Sequence, residues 1–84
     1  MTQIILYSKD QCPYCVKAKG LLTRKGQQFT ELNVAKDPAA LAEMLEKSGG
    51  RRTVPQIFIN GAHVGGCDDL YALESEGKLD AMLK

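Results

Sequence analysis

Two cysteines separated by two residues, Cys12 and Cys15, are the side chains of this chain best suited to chemistry. A Cys-x-x-Cys pair at a strand-to-helix junction is typical of a thiol–disulfide redox site. Cys12 is predicted just outside a helix, with Pro13 at the first helical position, where a missing N–H is tolerated. The unpaired N–H groups and positive dipole end of that helix favour a thiolate at Cys12, the form that attacks disulfides.

The same cysteine spacing also binds zinc, so a metal site is a second hypothesis. A closed tetrahedral zinc site needs four ligands, and the chain offers four candidates: Cys12, Cys15, His63 and Cys67. A long globular stretch separates the two ends of this set, and Pro13 and Tyr14 suit a redox turn better. We therefore predict redox chemistry and no metal.

Composition places the chain among ordinary globular proteins. Its 84 residues, 44% hydrophobic and 25% charged, predict one domain over residues 1–84. A net charge of +1 favours neither nucleic acid nor an anionic membrane as partner. The sequence has no apolar run of roughly 18 residues and no basic secretion signal, and its odd cysteine count suits a reducing compartment. We expect a cytoplasmic protein without a membrane span.

Periodicity and turn signals predict the elements that must position the cysteines. In chain order they are a strand at 4–7, a helix from 13 to about 25, a strand at 28–34, a helix at 38–47, strands at 56–59 and 62–65, a helix opened by 65–69 and ending near 76, and a short helix around 79–83. Asp37 and Pro38 are a typical helix start, and Asn60-Gly61 is a strong hairpin signal.

This order of elements predicts an α/β fold. A βαβ unit implies parallel strands with a right-handed crossover, and the hairpin adds an antiparallel pair. The result is a mixed four-stranded sheet flanked by helices, which is the plan of the thioredoxin fold. Cys12 would then lie at the exposed end of the first helix.

Three separate motifs resemble those of the dithiol glutaredoxins, of the small bacterial glutaredoxin 3 type. Their order and spacing match the family over essentially the whole chain: Cys12-Pro13-Tyr14-Cys15, Thr53-Val54-Pro55 and Gly65-Gly66-Cys67-Asp68-Asp69. The resemblance implies a single glutaredoxin domain over residues 1–84. It also implies glutathione-dependent reduction of protein disulfides and of protein–glutathione mixed disulfides.

The resemblance implies that Cys12 is the nucleophile and Cys15 the resolving thiol, the two forming the redox-active disulfide. It also implies a set of glutathione-binding residues: Lys9, Tyr14, Thr53, Val54, Pro55, Gly66, Cys67 and Asp68. Pro55 is expected to be cis, which leaves the Val54 main chain free to pair with the cysteine of glutathione. Helix N–H groups would receive the glutamyl carboxylate and Asp68 the ammonium group.

One region departs from the family pattern. Relatives often carry Arg, Lys or Gln early in the second helix to bind the glycyl carboxylate of glutathione, whereas Leu41 and Ala42 stand here. Arg51 and Arg52 both remain candidates for that role. The thiol of Cys67 is interpreted as a small buried hydrophobic group.

The resemblance further implies glutathione as reducing co-substrate, no permanently bound cofactor and a monomer. Its partners would be disulfide-containing or glutathionylated proteins, ribonucleotide reductase among them. Two other functions remain open. Iron–sulfur cluster carriage is known for relatives with a single active-site cysteine, and the presence of Cys15 disfavours it. A thioredoxin-like donor served by a reductase is disfavoured by the Cys67-Asp68 loop.

Overall fold

The computed structural model describes residues 2–83, within which the chain forms four strands and four helices. The two end residues of the predicted domain, Met1 and Lys84, lie outside this range. In chain order the elements are β1 Ile4–Ser8, α1 Pro13–Arg24, β2 Thr30–Asn33, α2 Pro38–Lys47, β3 Gln56–Ile59, β4 Ala62–Gly65, α3 Cys67–Ser75 and α4 Leu79–Met82.

The strands form one mixed sheet in the order β2-β1-β3-β4. Strands β1 and β2 are parallel, whereas the pairs β1/β3 and β3/β4 are antiparallel. The Asn60-Gly61 turn has positive φ at both residues, 52° and 84°, which suits the twist of a two-residue hairpin. This confirms the predicted mixed four-stranded sheet flanked by helices.

Alternate residues of β1 face two hydrophobic layers. Ile4 and Leu6 pack in a core with side chains of α1, α3 and α4, whereas Tyr7 packs with Met44 of α2 and Phe58 of β3 on the other face. Both faces of β1 are therefore covered, which explains its nearly continuous apolar sequence.

The predicted strand bounds need two corrections. The first strand runs over Ile4–Ser8 rather than 4–7, because Ser8 pairs with Asn33 in the ladder to β2. The buried Ser8 hydroxyl is satisfied by donating to the Glu31 carboxylate at 2.7 Å. The second strand covers only Thr30–Asn33 rather than 28–34. It is an edge strand whose ladder runs from Ile5↔Thr30 to Ser8↔Asn33, so one neighbour alone sets its length.

The predicted helices and hairpin agree with the structure to within one or two residues. Asp37 caps α2 by accepting from the amide of Ala39 at 3.0 Å, and Pro38 occupies its first turn. The loop after β1, the start of α1, residues 53–55 and the start of α3 line adjoining cavities, so the three motifs meet in space.

Candidate active site

Cys12 caps the N-terminus of α1 with its side chain. Its backbone is extended, with φ of −113° and ψ of 101°, and Pro13 opens the helix, as predicted. The Sγ atom of Cys12 accepts a hydrogen bond from the amide of Cys15 at 3.2 Å. This amide and the positive end of the helix dipole both stabilise negative charge on the sulfur.

Cys15 lies one turn further along α1 and is only 1% exposed. Burial, together with the neighbouring Cys12 sulfur, raises the pKa of the Cys15 thiol to about 12, although Lys19 acts in the opposite direction. Cys15 is therefore a neutral thiol at physiological pH. Both cysteines, like Cys67, are free thiols in this structure.

Residues 53–55 form the wall opposite Cys12. The Val54–Pro55 peptide bond is cis, as expected from the resemblance. The Cys12 thiol lies 3.9 Å from the carbonyl oxygen of Val54, toward which it donates. The Val54 main chain therefore lies directly beside the reactive sulfur.

The start of α3 forms a second wall. Its amides at Cys67 and Asp68 are in the first turn, where N–H groups have no acceptor within the helix. The Asp69 carboxylate accepts from the amide of Gly66 at 2.9 Å and so stabilises this helix start. Gly65 has a φ of +115°, and a Cβ there would lie 2.3 Å from the Asp69 Oδ2 atom, so this position requires glycine.

Two adjoining cavities extend from the Cys12 region along these walls. One, of about 280 Å³, lies between residues 53–55 and α3, and the other, of about 450 Å³, lies between residues 52–54 and the loop before α1. Together they are lined by every residue predicted to bind glutathione: Lys9, Tyr14, Thr53, Val54, Pro55, Gly66, Cys67 and Asp68. We name the two cavities together the groove.

The groove also includes residues that the sequence interpretation missed. Gln11 lines its larger cavity and has a φ of +55°, and Val34, the residue after β2, lines the same cavity. A positive φ at a glutamine leaves no signal in the sequence, and Val34 reaches the site only through the β1/β2 pairing. Tyr14, 58% exposed, presents its ring at the mouth of the groove, which agrees with a binding role.

The two candidate arginines lie in different cavities. Arg51 lines the smaller one, and its Nη1 atom is 3.9 Å from the Asp69 carboxylate, a loose ion pair. Arg52 lines the larger one together with Lys9. The second helix departs from the family pattern at Leu41, and packing explains this departure. Leu41 packs against the hydrophobic cluster of Tyr7, Met44 and Phe58.

Cys67 is 5% exposed and packs within the core shared by α1 and α3. Burial raises the pKa of its thiol; nearby Asp68 and Cys12 add to the increase, whereas Lys17 opposes it. These features agree with the prediction of a small buried hydrophobic group, although Cys67 also forms part of the groove wall.

The four candidate zinc ligands are not brought together. His63 lies in β4 and stacks on Phe58, whose ring belongs to the cluster on the α2 face, whereas Cys67 packs in the opposite core. Within residues 2–83, no group of three or more His, Cys, Asp or Glu side chains is placed to hold a metal ion. The structure therefore gives no support to the zinc hypothesis.

A third cavity, of about 470 Å³, lies on the other side of the two cysteines. The Glu31 carboxylate on its wall accepts from the Ser8 hydroxyl at 2.7 Å and pairs with Lys19 at 2.9 Å. These two contacts, in that order, lower the pKa of Glu31. Lys19 lies in α1 four residues after Cys15, so this ion pair borders the buried thiol.

Comparisons with known proteins agree with this geometry. A sequence model of the glutaredoxin family matches residues 4–64. Glutaredoxin 3 of Escherichia coli (strain K12) is 52% identical over 84 residues, which is 100% of both chains. No helix among the described residues is long and apolar enough to cross a membrane.

Solved structures give the same result. The solution structure of glutaredoxin from Brucella melitensis is 58% identical, with a TM-score of 0.85 over 100% of this chain and 90% of that one. The crystal structure of a buckwheat glutaredoxin–glutathione complex is 34% identical, with a TM-score of 0.87 over 98% of this chain and 76% of that one. The chain therefore belongs to the glutaredoxin family and is a glutathione-dependent thiol–disulfide oxidoreductase with a thioredoxin fold.

Proposed function

We propose that Cys12 is the attacking thiol of this oxidoreductase and that Cys15 is its resolving thiol. The observation that carries the proposal is the contrast between the two sulfurs. Cys12 caps the helix and receives an amide hydrogen bond at 3.2 Å, while Cys15 is buried with a pKa of about 12. Since the thiolate is the nucleophile in thiol–disulfide exchange, the sulfur whose negative charge is stabilised is the attacker.

With a protein–glutathione mixed disulfide, the Cys12 thiolate attacks the glutathione sulfur. The old S–S bond breaks, and the protein thiolate leaves and takes up a proton. Cys12 is then joined to glutathione. The thiolate of a second glutathione attacks the glutathione sulfur of this disulfide, releasing glutathione disulfide and restoring the Cys12 thiolate.

With a protein disulfide, Cys12 forms a mixed disulfide with the substrate, and Cys15 completes the reaction. The Cys15 thiol loses its proton as its sulfur attacks that of Cys12, and the substrate leaves as a thiolate that takes up a proton. Once the Cys12 sulfur is bonded to substrate it carries no charge. The contribution of that charge to the raised pKa of Cys15 is then removed, which favours this step.

We propose that glutathione is the co-substrate and that it lies in the groove, with no permanently bound cofactor. The buckwheat neighbour is described as a glutathione complex, and its fold covers 98% of this chain. The Val54 main chain would pair with the cysteine of glutathione beside Cys12. The first-turn amides of α3 would receive the glutamyl carboxylate and Asp68 the ammonium group.

Arg52 and Lys9 are our choice for the glycyl carboxylate. Arg51 lies at the α3 end of the groove, where the Asp69 carboxylate is within 3.9 Å of its guanidinium. Arg52 lies with Lys9 in the larger cavity, on the other side of Val54. An extended tripeptide centred on Val54 would place its glycyl end there.

The decisive experiment is the reduction of a small glutathione mixed disulfide by the parent protein, Cys12→Ser and Cys15→Ser, coupled to glutathione reductase. We expect no turnover by Cys12→Ser, because the nucleophile is gone. Cys15→Ser should retain this activity and lose the dithiol reduction of a protein disulfide. Turnover by Cys12→Ser at the parental rate would contradict the assignment.

We further propose that residues 1–84 form one domain, which acts as a cytoplasmic monomer on disulfide-containing or glutathionylated proteins, ribonucleotide reductase among them. Support for one domain comes from the shared core of Ile4 near one end of the chain and Leu79 near the other. Cys15→Ser should trap protein substrates as mixed disulfides, which mass spectrometry can identify. Size-exclusion chromatography with light scattering tests the monomer.

A further inference from the structure

Gln56 is a fully buried polar residue, 0% exposed, that directly follows the groove segment 53–55. Its side-chain nitrogen donates to both oxygen atoms of Thr53, the carbonyl at 3.0 Å and the hydroxyl at 3.1 Å. Thr53 itself is exposed and lines the groove. One buried amide therefore fixes both the main chain and the side chain of an exposed groove residue.

The partners of Gln56 determine which way its amide points. The Thr53 carbonyl oxygen can only accept, so the nitrogen of the amide must face it. The Gln56 oxygen therefore faces His63, whose Nε2 atom is 2.7 Å away. Because that oxygen can only accept, His63 must carry a proton on Nε2.

Packing holds the imidazole of His63 in position for this hydrogen bond. Its ring stacks on Phe58, with centroids 4.8 Å apart and an angle of 22° between the planes. Phe58 is 4% exposed and contacts Tyr7 edge-on, so it is a fixed surface for the ring. Ring stacking and side-chain hydrogen bonds thus connect Thr53, through Gln56 and His63, to the rigid core of the sheet.

We propose that Gln56 and His63 are positioning residues for the glutathione groove, which hold Thr53, and through it the Val54 main chain, in the conformation that receives glutathione. This inference rests on the proposed function, in which Val54 pairs with glutathione. An unrestrained exposed segment would have to be ordered at each binding event, and that entropy cost would weaken binding. Neither residue touches the sulfurs, so their effect falls on binding rather than on the exchange of disulfides.

Two variants separate positioning from folding. Gln56→Met keeps the approximate shape of the side chain and removes all three hydrogen bonds. His63→Phe keeps an aromatic ring against Phe58 and removes only the hydrogen bond to Gln56, at an exposed position. Lys47→Met is the matched control, since Lys47 also contacts the Phe58 ring, at 5.9 Å, but lies outside the hydrogen-bonded chain.

The first measurement is the backbone mobility of Thr53 and Val54 in the reduced protein without glutathione, from ¹⁵N NMR relaxation. We expect parental order parameters near the rigid value of about 0.85, with a clear decrease in both variants but not in Lys47→Met. A long-range ¹H–¹⁵N spectrum in mildly alkaline buffer should show the proton of His63 on Nε2. Unchanged mobility in both variants, or a proton on Nδ1, would overturn the proposal.

The second measurement is steady-state reduction of a glutathionylated peptide. We expect KM to rise about tenfold in Gln56→Met and about threefold in His63→Phe, with kcat within about twofold of the parent. If Thr53 and Val54 become more mobile while KM stays constant, Gln56 and His63 do position these residues. The proposed contact of Val54 with glutathione would then be wrong. A fall in kcat with constant KM would overturn a positioning role in binding.

Discussion

Cys12 and Cys15 belong to one short motif, yet the fold places them in opposite environments. The Cys12 sulfur is at the end of α1, beside the groove, with an amide donating to it at 3.2 Å. The Cys15 sulfur lies within the protein, 1% exposed. A single helical turn separates a site that stabilises negative charge from one that penalises it.

This difference shows how one fold can assign two roles to two identical side chains. The helix end supplies unpaired amides to the first sulfur only, because amides further along the helix already have acceptors. The sheet and α1 remove water from the second sulfur, which raises its pKa by desolvation. Attack and resolution are thus separated mainly by position along the helix, since burial outweighs the opposing effect of Lys19 on the pKa of Cys15.

The largest expected effect is a difference in thiol reactivity. Raising the pKa of Cys15 from 9.0 to about 12 lowers its thiolate fraction at neutral pH by about a thousandfold. Iodoacetamide should therefore alkylate Cys12 first, and the rate at Cys15 should rise about tenfold per pH unit until about pH 12. Mass spectrometry of peptides over a pH series measures both rates.

In Cys12→Ser the alkylation of Cys15 should remain slow. The substitution removes the contributions of the Cys12 sulfur, but burial, the largest cause of the raised pKa, remains. Equal alkylation of Cys12 and Cys15 in the native parent at neutral pH would refute the comparison.

The second prediction concerns the groove beside Cys12 and not the environment of Cys15. Asp68→Asn removes the carboxylate proposed to bind the ammonium group of glutathione, so KM should rise about tenfold with little change in kcat. The alkylation rate of Cys15 should stay constant, because Asp68 is not among the groups that shift its pKa. Asp80→Asn is the control, since Asp80 pairs with Lys25 at 2.9 Å on another surface. An equal rise of KM in both variants would show that Asp68 has no specific role in binding glutathione.

The third prediction concerns the environment of the buried Cys15 thiol and not that of Cys12. Glu31→Gln leaves Lys19 without its anionic partner, which at present lies 2.9 Å away. Because Lys19 lowers the pKa of Cys15, the unpaired cation should increase the alkylation rate of Cys15 by about twofold to threefold. The rate at Cys12 should not change. Glu46→Gln on α2 is the matched control, and a change of the same size there would show that net charge alone is responsible.

The smallest effect is expected at Cys67. Its thiol is buried and its raised pKa keeps it neutral, while its proposed contact with glutathione uses the main chain. Cys67→Ala should therefore leave kcat/KM for a glutathionylated peptide within about twofold of the parent. A loss above about tenfold, with an unchanged melting temperature, would assign chemistry to this third sulfur.

Local sequence signals predicted most of the fold. The apolar run of β1, the Asp37-Pro38 start of α2 and the Asn60-Gly61 hairpin each act within a few residues, so they could be read without the tertiary structure. The bounds of β2 were wrong because an edge strand is defined by its neighbour's ladder rather than by its own pattern. The resemblance to the family supplied the positions of the groove residues, and the fold brings those positions together.

By itself the sequence determined the thiol pair, the helix that carries it and the order of the elements, because spacing and caps are local properties. Only the tertiary structure decided that Cys15 lies at 1% exposure in the core while Cys12, 7% exposed, faces the groove. Only the tertiary structure links His63 to Thr53, ten positions away in the sequence, through the side chain of Gln56. Desolvation and hydrogen bonds between distant residues depend on which surfaces the fold brings together, and no local pattern encodes them.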